Sequence, residues 1–423
     1  MDMDQNFELG MPGAPKMKKI RDFRVSPSTC ILCVLLACLF VFMATYVTIS
    51  LQAERKINEA YARVGEYEKL LEIAECYDKY YLYGVDFDQT ADRLAGMYGY
   101  AAGDWYSDYY TAEQWEESYN ASIGNATGVG IYVAMNDDGN ILVARVMQDS
   151  PAKRDGLMEG DIITAVDGHA VLDIGYENAV NLFMGESGTK VSFEVLRGTE
   201  EWEITVTRGM YDPQTVFAET VTVEGELYGY IQILQFEFST SNQFISAVDK
   251  LMEMGAKGFV FDVRDNPGGY IDAAIAMLDY LLPEGPIVHF EARGEIETVS
   301  SDAHSVDLPM VVLVNGGTAS SSELFASALK DYGKAEIVGE QTYGKGCVQE
   351  GIVLSDGSII YITMYLYNPP FSENYDGVGI MPDHPIYLVK EWRSTDVLLI
   401  PHEEDNQLGK ALDVLHINTK FTQ

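Results

Sequence analysis

From Cys30 to Leu51 the chain reads CILCVLLACLFVFMATYVTISL, without a single charged residue. Such a run is poorly suited to a water-exposed surface, and wound as a helix it is long enough to cross a hydrocarbon core of ~30 Å. Lys16, Lys18, Lys19, Arg21 and Arg24 precede it. Basic residues collect on the cytoplasmic side of a span. Residues 1–28 are therefore expected in the cytoplasm, residues 29–51 as a transmembrane helix, and the remainder outside. A cleaved signal peptide has a shorter apolar region and a small-residue cleavage site, and no A-x-A pattern follows here. Leu35-Leu36-Ala37-Cys38 has the look of a lipoprotein site, but the apolar run continues well past Cys38. The expectation is an uncleaved, single-pass anchor in the cell membrane with an extracytoplasmic body.

The length of 423 residues predicts two or three domains. Acidic residues outnumber basic ones 65 to 28, a net charge of −37. A surface that negative argues against nucleic acid as a partner, because phosphate binding needs a basic face. It fits solubility through repulsion, or a preference for basic substrates. Of five cysteines, Cys30, Cys33 and Cys38 share the apolar run, and Cys76 and Cys347 lie far apart. Neither a zinc spacing nor a disulfide framework emerges, so no metal is expected and the body is expected to fold without disulfides.

Past the span, Ile57, Tyr61, Val64, Leu71 and Ala74 recur at helical steps within residues 54–80. A helix packing on its own domain and a dimerising helix near the membrane both fit; the second would make a homodimer. Residues 81–115 read as short helices and loops. From about 124 to 208 the texture is β: GVGIYVAM, ILVARVM, DIITAVDG, VSFEVLRG and EWEITVTRG are alternating or β-branched runs bounded by Gly and Asp. After Pro213 strands and helices mix. LYGYIQILQF and KGFVFDVRD read as strands, residues 241–254 and 271–282 as helices, and MVVLVNGG as a strand buried on both faces. ELFASALKDYG reads as a helix stopped by Gly333. EIVGE, CVQEGIVL and SIIYITMYLY follow as strands, and the acidic tail after 390 carries no clear pattern.

Gly128-Val129-Gly130-Ile131 leads into the first β run. Such a loop exposes backbone N–H groups that can hold a peptide's terminal carboxylate, and the strand after it offers an edge to an extended peptide. A plain tight turn would use the same glycines. More specific is SPAKRDGLMEGDIITAVDGHAV, residues 150–171, which resembles the PDZ domains of bacterial proteases. That resemblance implies that Gly128, Val129, Gly130 and Ile131 bind substrate C-termini.

The segment Asn315-Gly316-Gly317-Thr318-Ala319-Ser320-Ser321-Ser322-Glu323 joins a buried strand to a helix. A hydroxyl at a helix N-terminus sits at the positive end of the macrodipole, near unpaired N–H groups that suit an alkoxide or oxyanion. Equally, Ser320-x-x-Glu323 fits a simple capping box. A serine nucleophile needs a base. None of the six histidines sits in a recognisable catalytic motif, and no G-x-S-x-G is present. A lysine can serve if burial lowers its pKa; Lys345, between Gly344 and Gly346 and flanked by apolar strands, is a candidate, although a turn explains it as well. Gly339 to Lys345 also matches part of a phosphate loop, but Gly346 stands where Ser or Thr would hold Mg²⁺, and β-like residues follow in place of a helix.

Taken together, NGGTASSSELFASALKDYG and VGEQTYGKGCVQ closely resemble the C-terminal processing peptidases, or tail-specific proteases. The resemblance runs over roughly residues 55–390. It implies that Ser320 is the nucleophile, that Lys345, 25 positions later, is the general base, and that Gln349 positions the lysine amine. Asp331 matches an acidic position of structural character. FDVRDNPGGY, residues 261–270, matches a Gly-rich turn, so that Gly268 and Gly269, with the N–H of Ser321, would form the oxyanion hole. GVGIMPDHPI, residues 377–386, matches the closing motif. Position 321 is Ser where the family usually has Ala, and Cys347 is unusual, either a redox liability or a buried strand residue. The implied protein is a serine endopeptidase of multidomain α/β (α+β) class, acting on protein and peptide substrates through their C-termini without cofactor or metal. Its expected parts after the anchor are a helical region at 52–115, a PDZ domain at 116–209, a catalytic α/β core at 210–390 and a tail at 391–423.

Overall fold

The computed structural model describes residues 26–116, 126–393 and 395–422. Residues 1–25, which hold the basic cluster expected in the cytoplasm, lie outside the described residues. The chain divides into two compact units, residues 1–90 and 91–423.

In the first unit a helix runs from Pro27 to Glu66 and another from Glu68 to Tyr80. The stretch Leu35–Lys56 is long and apolar enough to cross a membrane. Its aliphatic and aromatic side chains, from Leu35 through Phe40 and Phe42 to Leu51, are exposed around the helix, as a lipid-facing span requires. The hydroxyls of Thr45 and Thr48 bond back to the carbonyls of Val41 and Ala44, both at 2.8 Å, which leaves neither donor bare in an apolar setting. The helical reading of residues 54–80 holds apart from a break at Tyr67. Of the dimerisation signal, the side chains of Ile57, Tyr61 and Val64 lie outside the described residues.

In the second unit, residues 108–110 form β1 (Asp108–Tyr110), where loop was expected. The PDZ portion contains β2 (Ala126–Gly128), β3 (Ile131–Met135), β4 (Ile141–Val146), β5 (Ile162–Val166), β6 (His169–Ala170), β7 (Lys190–Arg197), β8 (Glu200–Thr207) and β9 (Gly209–Tyr211). Strands β3-β4-β5-β7-β8 form one antiparallel sheet, with β6 added on β5. Its core gathers Ile141, Val143, Leu157, Ile163, Val191, Phe193 and Val206. Ser150 caps the short helix Pro151–Asp155, accepting from the Lys153 N–H at 3.1 Å, and Gly156 closes that helix in the left-handed region at φ 99°. The SPA and Gly-Leu steps of the sequence signature are thus a helix start and a helix stop.

The portion expected to be catalytic is built on β10 (Val216–Val223), β11 (Glu226–Ile233), β12 (Phe259–Asp262), β13 (Gly285–Ala292), β14 (Glu295–Ser301), β15 (Met310–Val314), β16 (Ala335–Gly339), β17 (Cys347–Val353), β18 (Ile359–Asn368) and β19 (His384–Pro385). The main sheet has the order β10-β11-β12-β15-β16-β19 and is parallel from β11 onward. Its central strands β12 and β15 are buried on both faces because both faces are covered. Phe259, Phe261, Val312, Val314 and Ile337 point to one core, shared with the helices Thr240–Glu253, Ile271–Leu281 and Ser321–Asp331. Val260, Val311, Leu313 and Val338 point the other way. Leu408, Ala411, Val414 and Leu415 of the helix Asn406–Thr422 cover them. The tail with no clear pattern therefore supplies the layer that covers the second face of the main sheet. A second sheet, β1-β18-β13-β14 with β17 on β18, stands beside the main one.

Candidate active site

Strand β15 is buried throughout and ends at Val314. The chain then turns through Asn315-Gly316-Gly317. The Asn315 side chain accepts from the N–H groups of Asp265 and Gly317, at 2.8 and 3.0 Å, and Thr318 Oγ1 donates to the Val263 carbonyl at 2.7 Å. These bonds tie the turn to the neighbouring strand end and deliver Ser320 at the N-terminus of the helix Ser321–Asp331. Ser320 has φ 58° and ψ −124°, a conformation that costs a non-glycine residue about 1–3 kcal/mol and persists only where the surroundings enforce it.

Glu323 does the enforcing. Its side chain is fully buried. Oε2 accepts from the N–H of Ser320 at 3.0 Å and from the N–H of Lys345 at 2.8 Å. Oε1 accepts from the N–H of Gly344 at 2.8 Å and from Thr342 Oγ1 at 2.5 Å. One oxygen atom thus holds the backbones of Ser320 and Lys345 within two hydrogen-bond lengths of each other. Burial pushes the Glu323 pKa up, and the Thr342, Lys345, Gly344 and Ser320 donors oppose that. Four donors are what an ionised carboxylate accepts. The capping box expected from the sequence is present: Glu323 takes the Ser320 N–H, and the Glu323 N–H also donates to the Ser320 carbonyl at 2.8 Å.

Lys345 is half-buried, and its Nζ lies 5.0 Å from the centre of the Tyr106 ring. Burial lowers its pKa; the charges of Cys347, Asp104 and Asp376 pull weakly the other way. Tyr106 stays a neutral phenol, its pKa raised to about 12 by burial and by Asp376. Tyr367, buried on β18, donates its hydroxyl hydrogen to the Lys345 carbonyl and interacts with the Ser320 side chain. Gln349 does not reach the lysine amine in this structure. Its Nε2 donates to Thr363 Oγ1 at 3.1 Å and to Cys347 Sγ at 3.4 Å. The Cys347 thiol is buried and raised to about 11 by that burial, so it is a packed strand residue and a poor thiolate.

Asn266 organises the Gly-rich turn. Its Nδ2 donates to the Ile233 carbonyl at 2.8 Å, and its Oδ1 takes the Gly268 N–H at 2.9 Å. Gly268 therefore spends its N–H inside the turn, because the asparagine two residues earlier reaches back to it. A Cβ on Gly268 would come to 2.7 Å from Ser320 Cβ and 3.0 Å from Ser321 N, so only glycine lets this turn approach the serine. Among the described residues, no acceptor engages the N–H of Gly269 or of Ser321. The extra hydroxyl at Ser321 donates to the Gly269 carbonyl at 2.9 Å and pins the two segments together. Asp331 is remote from this cluster. Its Oδ2 accepts from the N–H groups of Phe371 and Ser372, both at 2.8 Å, and so fixes a loop.

The PDZ loop is held from its carbonyl side: Val129 accepts from Ala152 N at 2.8 Å and Gly130 from Met147 N at 3.2 Å. An 820 Å³ cavity joins Ile131, Tyr132, Met147 and Met184 of the PDZ portion to Gly269, Tyr270, Gln349 and Tyr361 of the catalytic portion. Of the four loop residues, Ile131 faces it; Gly128, Val129 and Gly130 are not in its lining.

The profile of peptidase family S41 matches residues 227–386, and that of the PDZ domain residues 122–196. Over 309 residues the chain is 36% identical to the carboxyl-terminal-processing protease of Synechocystis, covering 72% of this chain and 71% of that protein. The chain belongs to peptidase family S41. A Staphylococcus haemolyticus protein described as a CtpA-like serine protease is 32% identical over 326 residues, 76% of this chain and 62% of that longer protein. A crystal structure of a Bacteroides fragilis protein assigned to the S41 proteases shares the fold, with TM-score 0.52 at 17% identity, covering 70% of this chain and 83% of that one. The protein is thus a serine endopeptidase of the carboxyl-terminal-processing family with a PDZ domain.

Three residues around this candidate site had no signal in the sequence. Tyr106 precedes the PDZ domain and arrives because β1 pairs with β18, while Asp104 accepts from the N–H and hydroxyl of Thr363, both at 2.8 Å. Tyr367 and Thr342 sit in segments that read only as strand and turn. Glu323 was visible, but as a cap and not as the holder of Lys345.

Proposed function

We propose that this S41 peptidase cuts with Ser320 and Lys345. Ser320 Oγ attacks the scissile carbonyl as the uncharged Lys345 amine takes its proton. The N–H groups of Ser321 and Gly269 hold the resulting oxyanion. Lys345 then gives the proton to the leaving amine, and water, activated by the same amine, releases the acyl group. The observation that carries this reading is the single Glu323 oxygen shared by the two backbones. The lowered pKa of the half-buried Lys345 supports it, since only the neutral amine is a base. Gln349 lines the cleft, and its bonds to Thr363 and Cys347 steady the wall behind the lysine. In the detergent-solubilised full chain, Ser320→Ala and Lys345→Ala are expected to abolish cleavage of an unstructured polypeptide while Asp331→Asn retains it in part. Wild-type rates in Ser320→Ala would refute the assignment.

The loop at Gly128–Ile131 is the recruiting element for substrate tails, because Ile131 opens on the cavity that also reaches Gly269. Amidating a substrate's terminal carboxylate is then expected to raise KM, and an unchanged KM would count against recruitment. The N-terminal span anchors the enzyme, with the basic cluster inside and the body outside.

A further inference from the structure

A second, smaller pocket of 230 Å³ adjoins the cleft, lined by Tyr106, Asp108, Tyr110, Trp115, Gln349 and Tyr361. Gln349 and Tyr361 belong to both cavities, so a chain lying in the cleft passes the mouth of the smaller one. Its walls are four aromatic rings. Tyr361 stands edge-on to Tyr110, centroids 6.1 Å apart at 85°, and 5.7 Å from Trp115. Gly351 makes room for the Tyr361 ring: a Cβ there would meet it at 3.1 Å. Asp108 pairs directly across from Tyr361 in the β1–β18 register, which puts a carboxylate beside the rings. The Tyr109 N–H donates to Asp108 Oδ1 at 2.9 Å and fixes that carboxylate.

Aromatic faces carry negative quadrupoles and attract cations, the more so when a carboxylate stands at the rim. An apolar side chain in this pocket would gain nothing from the Asp108 carboxylate, and an acidic one would be repelled by it. A lysine or arginine side chain satisfies both the rings and the carboxylate, and the pocket has room for one side chain. The net charge of −37 draws the same substrates from a distance.

We propose that this pocket is a specificity subsite for a cationic side chain, lysine or arginine, of the polypeptide substrate. The proposal rests on cleavage at Ser320, since that serine is what makes the neighbouring cavity the substrate cleft. It gives β1 a function: the segment before the PDZ domain selects the substrate.

The test uses the detergent-solubilised full chain. An unfolded protein of known sequence is digested and every cut mapped by mass spectrometry. Lys and Arg are expected to be enriched about five- to tenfold at one fixed offset from the cut bond. A peptide pair with lysine or norleucine at that offset should differ by a similar factor in kcat/KM, and the ratio should fall toward one in Asp108→Asn and in Trp115→Leu. The second variant guards against a folding defect in the first. No enrichment at any offset, in a digest that Ser320→Ala abolishes, would overturn the subsite and leave the Ser320 reading intact. Cleavage that survives Ser320→Ala would overturn that reading and the subsite with it.

Discussion

Glu323→Gln tests the carboxylate that ties the backbones of the two proposed catalytic residues together. The buried carboxylate accepts four hydrogen bonds, two on each oxygen. Glutamine has the same shape but offers one accepting oxygen and one donating NH2. With the NH2 in the Oε2 place, it faces the N–H groups of Ser320 and Lys345 and orphans both. In the other orientation it faces the Gly344 N–H and Thr342 Oγ1. The Thr342 hydroxyl, which already takes the Ile380 N–H, can turn and accept a second donor, so Gly344 is left as the single orphaned backbone N–H, and this orientation is favoured. One unsatisfied buried N–H costs about 1–3 kcal/mol. Loss of charge assistance on the surviving bonds to Ser320 and Lys345 adds roughly 1 kcal/mol. The sum, about 2–4 kcal/mol, falls on the segments that aim Ser320 and Lys345 and not on substrate contacts. At about 1.4 kcal/mol per tenfold, kcat is expected to drop by about 30- to 700-fold. KM should change by less than about threefold, because uniform substrate binding is untouched. The assay is steady-state cleavage of an unstructured polypeptide, with circular dichroism to verify that the fold is retained. A natively folded Glu323→Gln with kcat within about twofold of wild type would refute the reasoning.

Other consequences can be measured independently. Since Lys345 is held below its ordinary 10.5 by burial, its amine is uncharged above that lowered pKa. Activity should therefore rise with pH through it and be lost as pH falls below it; a flat kcat/KM profile from mildly acidic to alkaline pH would contradict the lysine's role. Leu415, fully buried under the main sheet, should cost about 2–5 kcal/mol on substitution by alanine, read by chemical denaturation. An unchanged midpoint would show that the last helix does not close the fold. Cys76 is exposed just beyond the span, so a membrane-impermeant maleimide should label it on intact cells, with Cys76→Ser as control. Labelling only after lysis would reverse the proposed topology.

Much of the architecture is local in origin and could be read directly. The uncharged run ending at Leu51 specifies a helix that suits lipid, and the helix Thr240–Glu253 is laid out by its apolar spacing. The β texture between residues 128 and 207 and the doubly buried MVVLV strand are equally plain, because a strand's alternation reports which of its faces is covered. The candidate site was legible as a spacing: Ser320 and Lys345 look ordinary singly, and their separation of 25 positions gives them a family pattern.

What only the tertiary structure decided are the contacts that no short window contains. The helix Asn406–Thr422 acquires its partner from four strands up to 190 positions earlier, so its sequence alone gave no reason to join it to the core. Gly268, named for the oxyanion hole, turns its N–H into Asn266, so the proposed oxyanion hole rests on Gly269 and Ser321. Tyr106 reaches Lys345 only because β1 adds itself to β18 across some 250 residues. Glu323 can be recognised from sequence as a cap, but its second duty requires the Lys345 turn to fold back onto it. Sequence patterns specify which face of an element is apolar; which polar atom finds which buried donor is settled when the elements pack, since an unsatisfied donor there costs as much as the packing gains.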